Sequence, residues 1–295
     1  MRPAFSGICA FPITPGDGLG AVDWDVLDRI TDRLAAARVD SIGALGSTGD
    51  YAYLPRATRA EVARRIVAGA AGIPVAVGIG APALSLVLEN ARDAAGAGAA
   101  ALLLAPVSYQ PLRAEEVFGL YQAVVAEVGL PVILYNNPAT TGFSFTPELI
   151  AQIGALPGIC AVKMPPTPDP AAEIAALRAM LPQRVTLGYS GDATIAAAFR
   201  GGAEGWFSVL GGTFPEICRE MTDAALGGDA ARLDAIDARL APLWRLFAAM
   251  GSYRVIHAAA ALAGYGPALP PLPLRPLAGK ELQAVRTALE QAELP

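Results

Sequence analysis

Eight short apolar runs, each followed by a longer amphipathic one, constrain this chain more than any other feature. The apolar runs lie near 7–13, 41–45, 74–78, 100–104, 131–135, 158–163, 184–188 and 205–209. They are apolar almost without interruption, as in Ala101-Leu102-Leu103-Leu104 and Val132-Ile133-Leu134. A strand with one wet face alternates apolar and polar residues, whereas a continuous run is the mark of a parallel strand covered on both faces. The segments between read as helices near 24–38, 58–71, 83–95, 114–128, 147–155, 170–181, 192–201 and 214–226. Asp23 before Trp24, Thr146 before Pro147 and Asp169 before Pro170 supply helix starts. Each side-chain oxygen can accept from a free first-turn amide, and proline suits the first helical position.

Eight strand-then-helix units in series predict an α/β fold of the (β/α)₈ barrel type over residues 1–226. An open doubly wound sheet is the alternative, but it fits eight units poorly and the glycine fingerprint for a dinucleotide is missing. Beyond the barrel, 229–250, 252–264 and 277–293 read as three more helices, with a proline-rich stretch at 267–276. This C-terminal region, 227–295, is too apolar to stand alone. It is expected to pack on the barrel or on a neighbouring subunit.

Composition narrows the functional classes. A chain of 295 residues, 54% hydrophobic, is no disordered polymer and can bury a large core. A net charge of −5 argues against a nucleic-acid binder or a polybasic membrane surface. The start, Met1-Arg2-Pro3-Ala4-Phe5, lacks the long apolar stretch of a signal peptide. The uncharged run 94–112 is broken by Gly96, Gly98, Pro106 and Gln110, so no membrane span is expected. Three cysteines (Cys9, Cys160 and Cys218) are odd in number and far apart, which points to a reducing cytoplasm rather than a disulfide scaffold. One histidine, His257, cannot build a multi-histidine metal site, and no CxxC or HExxH is present, so no metal is expected.

In such a barrel the chemistry sits at the C-terminal ends of the strands. Lys163 is the sharpest signal there. The chain holds only two lysines, Lys163 and Lys280, and uses arginine for its other cations. Arginine cannot form an imine and lysine can. Lys163 ends an apolar strand, where burial favours the neutral, nucleophilic form of an amine. A snorkelling or ion-paired lysine is the plainer alternative. Tyr135 ends the preceding strand and is expected beside Lys163, where a phenol can relay protons; an interior aromatic with a satisfied hydroxyl is the other reading. Gly46-Ser47-Thr48-Gly49 offers two hydroxyls and free amides that suit a small carboxylate, or it is a bare turn. Asp192, after Ser190-Gly191, either faces the site or caps the next helix. Gly191, Gly201-Gly202 and Gly211-Gly212 also allow a phosphate-binding barrel. Tyr51, Tyr53 and Tyr109 lie in loops on the presumed active face, and His257 reads as structural.

The strand ends together resemble the dihydrodipicolinate synthase / N-acetylneuraminate lyase family. The resemblance runs from Phe11-Pro12-Ile13-Thr14-Pro15 through Gly46-Ser47-Thr48-Gly49-Asp50, Tyr135-Asn136-Asn137-Pro138, Lys163 and Ser190-Gly191-Asp192 to Leu272-Pro273-Leu274. It implies a barrel that joins a lysine to pyruvate or another 2-oxo acid as a Schiff base. Lys163 matches the imine-forming lysine and Tyr135 the proton-shuttling tyrosine. Ser47 and Thr48 match the pair that holds the carboxylate, with Thr48 also contacting the tyrosine. Gly191 and Phe207 match positions lining the pocket, and Thr140 and Asp192 are expected to shape it beyond C3. The resemblance further implies no cofactor and a homotetramer built as a dimer of dimers.

The departures from the family pattern bear on substrate. Thr140 stands where the synthases carry an arginine for a second carboxylate, Ser108 where they carry an inter-subunit tyrosine, and Met164-Pro165-Pro166 where an acidic partner follows the lysine. Asp50 replaces the commoner glutamate, and either Tyr109, one residue away, or Ser108 takes the place of the missing tyrosine. Threonine cannot replace a bidentate guanidinium. A lyase, aldolase or hydro-lyase acting on a 2-oxo acid is therefore expected in preference to dihydrodipicolinate synthase itself. A non-catalytic ligand-binding or regulatory barrel is the rival from another class.

Overall fold

The structure, a computed structural model, describes residues 4–295; the leader reading of Met1-Arg2-Pro3 lies outside the described residues. Eight parallel strands close into one barrel in chain order: β1 (Gly7–Ala10), β2 (Ser41–Ala44), β3 (Val75–Gly78), β4 (Ala101–Leu104), β5 (Val132–Tyr135), β6 (Ile159–Met164), β7 (Thr186–Tyr189) and β8 (Gly205–Ser208). The first and last strands seal it, with Cys9 opposite Phe207. Nearly every strand residue is buried, as continuous apolar runs require. β1 is shorter than its apolar run because Pro12, which has no amide to donate, follows Phe11.

Helices α1 (Trp24–Ala36), α2 (Arg56–Gly69), α3 (Leu84–Gly96) and α4 (Ala114–Val128) follow the first four strands. The fifth unit carries a one-turn helix α5 (Pro138–Thr141) before α6 (Pro147–Ala155); α7 (Pro170–Met180), α8 (Ile195–Arg200) and α9 (Pro215–Gly227) complete the ring. Asp23, Thr146 and Asp169 each accept from an amide three residues on, as their cap positions demand. α1 buries Val26, Leu27, Ile30 and Leu34 on one stripe. Each such side chain contributes about 1.5–3 kcal/mol against exposure.

The segment expected as one helix over 192–201 is divided. A 3-10 turn, Asp192–Thr194, precedes α8, and Gly191 stands before it with φ of 86°. A Cβ on Gly191 would lie 2.8 Å from the Pro166 ring, so glycine serves both the backbone sign and the close approach.

The C-terminal helices are α10 (Ala230–Met250), α11 (Ser252–Leu262) and α12 (Gly279–Gln291). α10 packs on α9, on α8 and on the 192–194 turn, while α12 packs on α10 and α11. The proline-rich connection is laced to the loop after β1: the Leu269 amide donates to Gly16 O and the Leu272 amide to Gly18 O. Among the described residues no helix is long and apolar enough to cross a membrane.

Candidate active site

Tyr135 and Lys163 are register partners at the ends of β5 and β6. Paired residues of adjacent parallel strands share a face, and here both side chains enter the barrel. Lys163 is only 5% exposed, and its Nζ stands 3.7 Å from the centre of the Tyr135 ring. Two more rings enclose the amine, Phe11 at 5.5 Å and Phe207 at 6.0 Å. Phe11 has room because β2 and its turn lack side chains there: a Cβ on Gly43 or Gly46 would come within 2.3 or 2.5 Å of its ring. The expected neighbourhood of Tyr135 and Lys163 is thus observed, and Phe207 stands beside them. Phe11 was legible only as part of a motif, since nothing in its spacing marks an aromatic below an amine.

The Tyr135 hydroxyl lies 3.2 Å from Ser47 Oγ. Asn137 Nδ2 donates to the same phenol oxygen at 2.8 Å and to Ser47 Oγ at 3.4 Å. With Asn137 as donor, the phenol keeps its own proton to give to Ser47 or to a bound molecule. Sequence reasoning treated Asn136-Asn137-Pro138 as a turn and missed Asn137; its signal was a side-chain amide two residues past the tyrosine.

Several expected positions need correction. The hydroxyl that meets Tyr135 belongs to Ser47 and not to Thr48. The turn after β2 folds back tightly, the Gly49 amide donating to Gly46 O, so that Ser47 is half-exposed while Thr48 turns inward and is buried. Thr140 is exposed on α5, and its Oγ1 donates to Asn137 O at 3.4 Å within its own turn. Among the described residues no hydrogen bond ties it to Lys163, Tyr135 or Ser47.

Asp192 is among the residues lining the cavity beside Gly191, and its side chain does not cap α8. Its buried carboxylate accepts from Trp206 Nε1 at 2.9 Å, Leu210 N at 2.7 Å, Val209 N at 3.3 Å and Ser208 Oγ at 3.3 Å. Burial pushes this carboxyl above its ordinary range, and the four hydrogen bonds pull the other way. It clamps the end of β7 to the turn after β8.

Gly191 does line a cavity. A space of about 200 Å³ lies among Pro166, Gly191, Asp192, Thr194, Val209, Phe247 and Ser252. These residues follow β6, β7 and β8 or belong to α10 and α11, so the cavity is at the Lys163 end of the barrel. Its lining is mainly apolar, with hydroxyls from Thr194 and Ser252, the carboxyl of Asp192 and no basic side chain. His257 is buried in α11, as a structural residue would be. Tyr109 is 93% exposed in the loop after β4.

The chain has clear counterparts among known proteins. The dihydrodipicolinate synthetase family matches residues 4–292. The 4-hydroxy-tetrahydrodipicolinate synthase of Methylococcus capsulatus is 35% identical over 232 residues, 78% of this chain and 79% of the relative. That of Haloarcula marismortui is 30% identical over 290 residues, covering 98% and 94%. A crystal structure of dihydrodipicolinate synthase from Agrobacterium tumefaciens superposes with a TM-score of 0.96 at 42% identity, over 98% of both chains.

Proposed function

The chain belongs to the dihydrodipicolinate synthetase family, and from that premise we propose that it is a Schiff-base lyase or aldolase, or a hydro-lyase, acting on a 2-oxo acid. The observation that carries the reading is the amine of Lys163 over the face of Tyr135, whose hydroxyl is held by Ser47 and Asn137.

In this reading Ser47 and Thr48 take the carboxylate of pyruvate or a pyruvate-like moiety. Lys163 Nζ adds to the C2 carbonyl, the carbonyl oxygen leaves as water, and a protonated imine remains. That cation accepts the electron pair released when the bond from C3 to C4 breaks or when a proton leaves C3. Tyr135 moves the proton in either case, its phenol oxygen positioned by Asn137. Phe11 and Phe207 keep bulk water from the amine. The tail of the substrate extends towards the cavity beside Gly191 and Thr194. Its lining, with the Asp192 carboxyl in its wall and no basic side chain, suits a hydroxylated or apolar tail better than a second carboxylate.

Synthase activity itself is the second reading, favoured by the names of the M. capsulatus and H. marismortui relatives. The lack of an arginine at Thr140 weighs against it. A panel of 2-oxo acids, with and without an added aldehyde, distinguishes the two when offered to the wild-type chain and to K163R. Turnover by the wild type and none by folded K163R supports the imine mechanism. Full activity of K163R overturns it.

We also propose a cytoplasmic homotetramer. Tyr53 and Tyr109, in the loops after β2 and β4, and Leu84 and Leu86, in the first turn of α3 after β3, are exposed apolar side chains that a second copy would cover. Sedimentation at several concentrations tests this, and a monomer throughout contradicts it.

A further inference from the structure

The turn that carries Ser47 is held from outside the barrel. Leu45 and Asp50, at its two ends, both have left-handed backbones, with φ of 56° and 61°. Such a conformation is unfavourable for residues other than glycine and persists where surrounding contacts impose it. Two contacts do so. Thr14 Oγ1 donates to Gly49 O at 2.8 Å. Tyr253, on α11, donates its phenol proton to Asp50 Oδ1. The Asp50 amide in turn donates to the carbonyl of Ser47 at 3.3 Å. A continuous path therefore runs from Tyr253 through Asp50 and Ser47 to Tyr135.

A second group faces the same carboxyl. His257 lies one turn after Tyr253, the two rings 4.6 Å apart, and is 2% exposed. Its Nδ1 donates to Ala268 O at 2.8 Å, which leaves Nε2 as an acceptor. That Nε2 is buried without a partner, and Asp50 Oδ2 is 3.9 Å from it. At this distance the pair is not yet hydrogen-bonded. A protonated Asp50 has the donor that the imidazole lacks, while its other oxygen still accepts from Tyr253. Burial supports that state, raising Asp50 to about 7 and lowering His257 to about 4.

We infer that Asp50 is a positioning residue: as a neutral carboxyl held between Tyr253 and His257, it couples α11 to the turn that sets Ser47 against Tyr135. The inference rests on the Schiff-base reading for its kinetic readout only.

The test compares D50A, Y253F and D50N with the wild type. Asparagine keeps an acceptor for Tyr253 and brings a donor for His257, so it mimics the neutral acid. The readouts are steady-state rates with the 2-oxo acid substrate and the ¹³Cζ resonance of Tyr135, assigned with Y135F. D50A and Y253F are expected to lower kcat at least about tenfold while KM changes less, because the loss falls on an interaction with the proton-transferring group. The Tyr135 resonance moves in both, and D50N recovers most of the loss. If D50A fails to fold, Y253F decides. Unchanged kcat and an unmoved resonance in folded Y253F overturn the inference, as does a D50N variant as impaired as D50A. If the wild type forms no adduct on Lys163, the Schiff-base reading falls, and the Tyr135 resonance still decides the coupling.

Discussion

Lys163 Nζ lies 3.7 Å from the centre of the Tyr135 ring, over its face, because the two residues pair across β5 and β6. The ring and the hydroxyl of Tyr135 therefore have separable tasks: the ring flanks the amine, and the hydroxyl moves protons. Y135F keeps the first and removes the second. It is expected to retain pyruvate adduct formation while turnover falls by about 10²–10⁴. Parallel trapping and rate measurements check this, and a Y135F variant with wild-type turnover contradicts it.

The space for Phe11 depends on missing side chains. A methyl group at Gly43 would meet three ring carbons of Phe11 at 2.3–2.5 Å. G43A is expected to cost about 1–3 kcal/mol by overpacking. In a double-mutant cycle F11A should return part of that loss. Urea unfolding measures both, and additive effects would show that Phe11 and Gly43 are not in contact in solution.

Asp192 clamps the end of β7 to the turn after β8, so its removal should cost stability. D192A leaves the buried Trp206 Nε1 and Leu210 amides without acceptors, at about 1–3 kcal/mol each. Urea unfolding of D192A measures the loss. Unchanged stability in D192A would contradict the clamp.

The Asp50–His257 pair predicts an unusual pH dependence. Unfolded, the two titrate near their ordinary values of 3.8 and 6.5; folded, Asp50 holds its proton to about 7 and His257 stays neutral down to about 4. Between pH 4 and 6.5, folding shifts one proton from imidazole to carboxyl with no net uptake, so the pair adds no slope. H257Q leaves Asp50 alone. The folded state then holds a proton the unfolded state has lost, and stability falls with rising pH by about 1.4 kcal/mol per unit relative to wild type. D50N leaves His257 alone, and stability rises with pH over the same window. Unfolding titrations at pH 4.5, 5.5 and 6.5 decide; curves parallel to the wild type contradict the pairing.

The barrel was legible because its signal is repetitive. Eight apolar runs and their intervening helices depend on local pattern, and caps such as Asp23 and Thr146 are fixed within one turn. Lys163 and Tyr135 were legible because strand order alone makes them neighbours. The rest depends on contacts distant in sequence. Asp192 reads as a cap from its neighbours, yet its partners are Trp206, Ser208, Val209 and Leu210 on the next strand and turn. Tyr253 and Asp50 are 203 residues apart. Which hydroxyl of Ser47-Thr48 meets the phenol is set by the fold of a single turn, which residue type does not encode.

The most direct measurement is borohydride reduction in the presence of pyruvate, read by intact mass and peptide mapping. With Lys163 and Lys280 as the only lysines, the map separates two sites cleanly. One reduced pyruvyl adduct on the peptide containing Lys163, absent in K163R, is the predicted result. No adduct at Lys163, with pyruvate or with larger 2-oxo acids, would contradict the imine mechanism.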